Sequence, residues 1–177
     1  MQTIFRVLRE RTRHDFSHYK SSTFKRRIDR RMAIHAIPTV GEYADFLLHN
    51  SQEVDLLFKE VLIGVTNFFR DAAVWKHLET EVVPELMARR SAEHGLRAWV
   101  IGWSSGEEAY SLAIVLTEAM QRLPMAHEFS LQIFASDLSP DAISVARRGI
   151  YPLSIREEIS EARLARFFSA HETHYQI

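Results

Sequence analysis

Residues Arg97 to Ser111 read RAWVIGWSSGEEAYS, and the order of residue types in this stretch decides the fold. Ala98 to Ile101 form a short apolar run with the length and β-branched content of a buried strand. The run stops at Gly102, and Trp103 to Gly106 make a turn rich in small residues. A helix should follow: Ser104 and Ser105 are candidate caps, and Glu107 and Glu108 suit the positive end of its dipole. Ala109, Leu112, Ala113 and Leu116 then recur at helical spacing. A strand, a glycine turn and a helix N-terminus in succession form the arrangement that cradles the polar part of a nucleotide-like cofactor.

Toward the C-terminus, Leu123 and Pro124 close the helical segment, and Phe129 to Ala135 make a second apolar strand that runs into Ser136 and Asp137. A carboxylate at the C-terminal end of the second strand of a βαβ unit is where ribose hydroxyls are bound. Asp137 could instead cap the helix expected from Pro140 to Arg148, a role that Ser139 also fits, with Pro140 at the first helical position. Gly149 ends that helix. An irregular segment follows from Tyr151, then a short helix from Glu161 to Phe168, and Thr173 to Ile177 reads as a strand or a frayed end.

Toward the N-terminus lies GVTNFFRD, Gly64 to Asp71. Gly64 stops a helix, Thr66, Asn67 and Asp71 offer capping groups, and Phe68 and Phe69 read as core plugs joining two domains. Arg70 reads either as an arginine held against an acidic group or as a surface residue. Helix resumes from Ala72 to about Arg90, with Pro84 as the point of a kink. Before Gly64 the pattern is helical throughout, with segments Ile4 to Arg13, Phe24 to His35 capped by Thr23, Val40 to Leu48 capped by Thr39, and Gln52 to Ile63 capped by Ser51.

The net charge of −1 conceals an asymmetry. Residues 1–35 carry ten Lys or Arg against three Asp or Glu, so the front end is +7 and the rest −8. Such a basic front on an acidic body suits an anionic partner, a nucleic acid or an acidic protein surface, or else is a solvated helix face. Lys25, Arg26, Arg27, Arg30 and Arg31 spread over the surface that Phe24, Ile28 and Met32 leave free. With no cysteine, disulfides, thiolate zinc sites and cysteine nucleophiles are excluded. No apolar stretch is long enough to span a membrane, and the reading is cytoplasmic. His14 and His18, at i and i+4, lack the context of a metal site.

GVTNFFRD, WVIGWSSGEEAYSLAI (Trp99 to Ile114), IFASDLS (Ile133 to Ser139) and ARRGIY (Ala146 to Tyr151) resemble, in order, the motifs of the CheR-type protein glutamate methyltransferases of chemotaxis-like pathways, and HDFSHYKSSTFKRRIDRRM (His14 to Met32) is similar to their basic helical region. The resemblance implies an α/β chain: an N-terminal all-helical, receptor-docking domain over residues 1–63, a linker and helix over 64–90, and over 91–177 the first part of a Rossmann-like methyltransferase sheet whose later strands are missing. It implies S-adenosyl-L-methionine as donor, leaving S-adenosyl-L-homocysteine, and a glutamate side chain of a receptor's acidic helical bundle as acceptor. Carried over, the cofactor site takes Thr66, Arg70, Gly102, Glu107 and Asp137, with Asp137 on the ribose and Arg70 as the catalytic candidate that positions cofactor or acceptor. Arg26, Arg27, Arg30 and Arg31 would meet the receptor.

Two departures carry expectations of their own. Trp103 stands where the family has a small residue, so its indole either fills the cofactor loop or packs under it. Losing the later strands bares an apolar edge at Ala98 to Ile101, which should be covered by a homodimer partner or by the chain's own C-terminal residues. A non-catalytic cofactor-binding or receptor-docking module is the alternative, and membrane insertion is not expected. A nucleic-acid partner is also not expected, since no aromatic platform or recognised motif accompanies the basic helix.

Overall fold

Residues 1–88, 95–122 and 130–177 are described in a computed structural model of the chain. Two units separate at Ile63, Met1–Ile63 and Gly64–Ile177.

The first unit is four helices, α1 (Gln2–Thr12), α2 (Ser21–Ile34), α3 (Val40–His49) and α4 (Ser51–Val61). Their apolar faces meet in one core that includes Ile4, Leu8, Phe24, Ile28, Leu47 and Leu57. Thr39 caps α3 by accepting from the Glu42 amide. Helix α4 is capped one residue earlier than expected, because Asn50 rather than Ser51 accepts the Glu53 amide. Helix α2 also starts early. Thr23 does not cap it: the Thr23 and Phe24 amides both donate to the Lys20 carbonyl, which closes the first turn without a side chain.

Inside this unit lies a carboxylate, Glu53, 1% exposed. It accepts from Arg31 Nε at 2.8 Å, Arg31 Nη2 at 2.5 Å and the Tyr43 hydroxyl at 2.7 Å, with His35 Nε2 at 2.8 Å. Burial pushes the Glu53 carboxyl up, but the bonds from Arg31, Tyr43 and His35 together outweigh it and hold it below its ordinary value. Arg27 is also drawn inward, donating to Glu60 and to the Ile63 carbonyl, and Arg30 shares Glu60. The basic residues of α2 are therefore not all spread over its surface, because two carboxylates on α4 face that helix.

In the second unit the helix expected from Ala72 is broken into α5 (Ala72–His77), a π-helical turn (Leu78–Val82) and α6 (Val83–Ala88). The Val83 amide reaches five residues back to the Leu78 carbonyl, immediately before Pro84, which has no N–H to continue an α ladder. Arg89 and Arg90, and Leu123 to Phe129, lie outside the described residues. Strand β1 (Leu96–Ile101) leads into α7 (Glu107–Met120), and β2 (Leu131–Ser136) pairs with β1 in parallel, Leu96 opposite Leu131 through Ile101 opposite Ser136. Leu96 packs with Met87, Val115, Leu116 and Met120.

Strand β1 was expected to be buried, yet Trp99 is 67% and Ile101 70% exposed. Burial alternates along the strand: Leu96 and Val100 are buried on one face, while Trp99 and Ile101 lie on the other, in a sheet that has two strands among the described residues. The C-terminal residues do not cover its edge. After α8 (Pro140–Arg148) they build their own antiparallel sheet from β3 (Ile150–Pro152), β4 (Ser169–Ala170) and β5 (His174–Gln176), in the order β3-β5-β4, with a 3₁₀ turn (Leu153–Glu157) and α9 (Glu161–Phe167) between β3 and β4. Their core holds Phe68, Tyr151, Ile155, Ile159, Leu164 and Phe168. Phe68 and Phe69 pack into the core clusters of this second unit.

Glu53→Ala should lower the unfolding free energy of the first unit by about 3 kcal/mol, because it leaves Arg31 buried without its partner; urea denaturation checks this. A carboxyl held below its ordinary value stabilises the fold above its unfolded-state value and loses that effect as pH falls through the folded-state value. The difference between wild type and Glu53→Ala should therefore be full at neutral pH and shrink in acid.

Candidate functional site

The loops after β1 and β2 meet at Asp137. Its Oδ2 accepts the Ser104 amide and its Oδ1 the Ser139 amide, both at 2.8 Å. The Ser139 side chain accepts the Ala142 amide and caps α8, whose C-terminus is closed by Gly149 at φ 61°. Asp137 is thus a bridge between two loops and not a helix cap. Each oxygen keeps lone-pair capacity for a ligand hydroxyl.

Neither Ser104 nor Ser105 caps α7. Its N-cap is Gly106, at φ 106° and with no side-chain cap. A Cβ at Gly106 would stand 2.7 Å from the Tyr151 hydroxyl and 2.9 Å from Ala146 Cβ, so the turn closes only with glycine. The Tyr151 hydroxyl donates to the Ser105 carbonyl, which fixes the turn from the other side. Gly102, at φ 74°, has nothing within 4 Å of the Cβ position and opens onto a cavity of about 270 Å³ with Ile101, Ser136, Asp137 and Leu138.

Glu107 sits at the first position of α7, and Ser105 Oγ donates to its Oε2 at 2.7 Å. Burial pushes its carboxyl above the ordinary value, the bond from Ser105 and its own backbone pull the other way, and nearby Glu158 adds to the rise. Among the described residues no cation neutralises it.

Thr66 and Arg70 share a different cleft, of about 250 Å³, with Asn67, Asp71, Val74, Trp75 and Glu108. Arg70 Nη1 donates to the Val65 carbonyl at 2.6 Å, not to an acidic side chain. The five expected cofactor residues therefore divide: Thr66 and Arg70 line one cleft, Gly102 and Asp137 another, and Glu107 lies at the head of α7. Glu108 was missed. The GEE sequence places one carboxylate toward Ser105 and the next toward the Thr66 cleft, and only the helix phase decides which. Ser111 was also missed: fully buried, it accepts the Phe69 amide at 3.0 Å and donates to the Glu107 carbonyl at 2.7 Å.

Trp103 lines a hollow with Ala109, Ala113, Ile133 and Ala135, and not the cavity at Gly102 and Asp137. Its Nε1 is buried without a partner. His14 stacks on Phe58, and among the described residues no group of three metal-binding side chains forms.

Residues 64–177 match the family described as CheR methyltransferase, SAM binding domain, and residues 1–62 match CheR methyltransferase, all-alpha domain. The chain belongs to the CheR methyltransferase family. It is 32% identical over 172 residues to the chemotaxis protein methyltransferase of Listeria monocytogenes, covering 97% of this chain and 63% of the relative. The chemotaxis protein methyltransferase of Salmonella typhimurium is 32% identical over 152 residues, 85% of this chain and 49% of the relative. An uncharacterized 104.1 kDa protein of Rhodobacter capsulatus is 36% identical over 163 residues, 92% of this chain but 17% of its own length. The chain thus spans only part of the length of these relatives.

The cofactor of this CheR domain is S-adenosyl-L-methionine. The residues fit it: a half-buried carboxylate without a cation suits a ligand that carries a sulfonium and an ammonium, and Asp137 beside the open Gly102 suits a ribose.

Gly106→Ala should destabilise the second unit by about 2 kcal/mol through its clash with Tyr151 and the positive φ, seen as a lower thermal midpoint. A carboxyl whose folded-state value is raised favours the fold when protonated and penalises it once ionised. Glu107→Gln should therefore raise the midpoint at pH 8, with the gain vanishing near pH 4.

Proposed function

We propose that this protein transfers a methyl group from S-adenosyl-L-methionine to a glutamate side chain of a chemoreceptor-like protein, forming a methyl ester. The observation that carries the reading is the uncompensated carboxylate of Glu107 at the head of α7, three residues after the Ser104 amide that Asp137 holds. That the Listeria and Salmonella relatives are chemotaxis protein methyltransferases supports a chemotaxis substrate.

When bound, the cofactor supplies an electrophilic methyl group. A glutamate acceptor is already ionised at pH 7, so the chain needs no strong base and contributes alignment and exclusion of water. Glu107 faces the cationic part of the donor, Asp137 takes ribose hydroxyls, and Gly102 leaves room for backbone approach. Thr66 and Arg70 line the cleft for the reacting groups, where the planar fork of Arg70 orients a carboxylate without moving a proton.

Recognition of an acidic receptor surface falls to Arg26 and Arg30, which are exposed on α2; Arg30 is 63% exposed even while paired with Glu60. Arg27 and Arg31, at 13% and 11%, hold α2 to α4 and support that surface.

Calorimetric titration with S-adenosyl-L-homocysteine tests the reading. Saturable binding that Asp137→Ala and Arg70→Ala each weaken roughly tenfold is expected. Incorporation of labelled methyl into receptor glutamates then separates turnover from a non-catalytic binding module. The double change Arg26→Ala, Arg30→Ala should weaken receptor binding and its salt dependence while leaving cofactor affinity intact, whereas Arg31→Ala should first lower stability.

A further inference from the structure

The loop Thr66 to Asp71 holds two non-glycine residues at positive φ, Phe69 at 51° and Asp71 at 60°. Such a backbone persists only where the surroundings over-determine it. The surroundings here come from residues far along the chain. The Phe68 amide donates to Glu158 Oε2 at 2.8 Å, across 90 positions of sequence. The Phe68 ring stands edge-on to Tyr151 and Phe168, at 4.9 and 5.6 Å between centroids. The Phe69 ring is held between Trp75, edge-on at 5.6 Å, and the guanidinium of Arg163, 4.4 Å from the ring centroid.

Arg163 is itself fixed. Nε and Nη2 donate to the two oxygens of Glu118 on α7 at 3.1 and 2.8 Å, and Nη2 also donates to Glu79 in the π turn at 2.5 Å. One guanidinium therefore ties α9, α7 and the π turn together while one of its faces covers the ring next to Arg70. A lysine could not do this, since it has neither the fork nor the flat face.

We propose that Glu158 and Arg163 are positioning residues: they hold the Thr66 to Asp71 loop in its strained form and so set the affinity of the cofactor site without touching the cofactor. This rests on the reading of Thr66 and Arg70 as part of that site. Neither residue lines either cleft, and both lie beyond the four sequence motifs, in the segment that builds β3 to β5.

The test pairs hydrogen exchange with calorimetry on the whole chain, using Glu158→Ala, Glu158→Gln, Arg163→Gln and Arg163→Lys, with Arg166→Gln on the same helix as control. Measurements are made well below each variant's thermal midpoint. The expected result is faster exchange of the Phe68 amide in Glu158→Ala and of the Phe69 amide in both Arg163 variants. S-adenosyl-L-homocysteine affinity should fall roughly tenfold alongside. Glu158→Gln, which keeps an acceptor oxygen for the Phe68 amide but removes the charge near Glu107, should restore slow exchange and most of the affinity, and Arg166→Gln should move neither.

Unchanged exchange in Glu158→Ala and the Arg163 variants overturns the clamp. Faster exchange with unchanged affinity, or lost thermal stability that Glu158→Gln does not rescue, reduces the pair to a structural role and overturns the proposal. If the unaltered chain takes up no S-adenosyl-L-homocysteine, the cofactor reading fails, and with it the positioning role. The exchange data from the same samples then report whether the clamp on the loop is real.

Discussion

One buried hydroxyl, that of Ser111, joins the two parts of the candidate site. It accepts the Phe69 amide and donates to the Glu107 carbonyl, so the loop that carries Thr66 and Arg70 is fastened to the first turn of α7. A hydroxyl inside a helix often bonds back to the carbonyl four residues before it, and by itself that adds little to stability. Here the same oxygen also satisfies an amide from a strained loop, and no solvent reaches it. Without that acceptor the Phe69 amide would be left unsatisfied, a loss of about 1 to 3 kcal/mol.

Asp137 does the corresponding work at the strand ends. In a parallel pair the loops leaving the C-terminal edges lie side by side, and each has backbone amides that the ladder does not use. One carboxylate accepts an amide from each loop, and the turn after β1 is held open over Gly102 as a result. The bridge also explains why Ser104 is no cap for α7: its amide is turned toward Asp137, and the residue takes a φ of 52° to get there.

What the sequence made legible was local chemistry. Ser139, Pro140 and Gly149 define α8 because each has a specific backbone role at a helix end, and all three act as read. The apolar periodicity of α2 and α4 placed Phe24, Ile28, Leu57 and Val61 in the core for the same reason. What stayed hidden depended on partners distant in sequence. Nothing near Arg27 or Arg31 announces Glu60 or Glu53, although both arginines border the apolar stripe of α2. Glu53, in helical phase with Leu57 and Val61, was itself a signal of a buried carboxylate needing cations. The start of α2 was hidden differently, because a backbone carbonyl at Lys20 closes it and no side chain marks the position.

Strain is distributed unevenly over the chain. Among the described residues five non-glycine residues have positive φ, and three of them, Phe69, Asp71 and Ser104, lie in the two loops that frame the candidate site. Each such conformation costs on the order of 1 to 3 kcal/mol, so the loops are stable only because other groups hold them. For Ser104 that group is Asp137, and for Phe69 it is Ser111 on one side and Arg163 on the other. Asp71 stands at the N-cap of α5 without a side-chain cap bond, so its conformation is fixed by the helix that follows and by the clamped residues before it. A strained loop with fixed neighbours has little freedom left to lose when a ligand arrives, which favours binding by lowering its entropic cost. The strained backbone among the described residues thus concentrates in the two loops that frame the candidate site, whereas Arg13 and Ala36, the other two, follow the ends of helices.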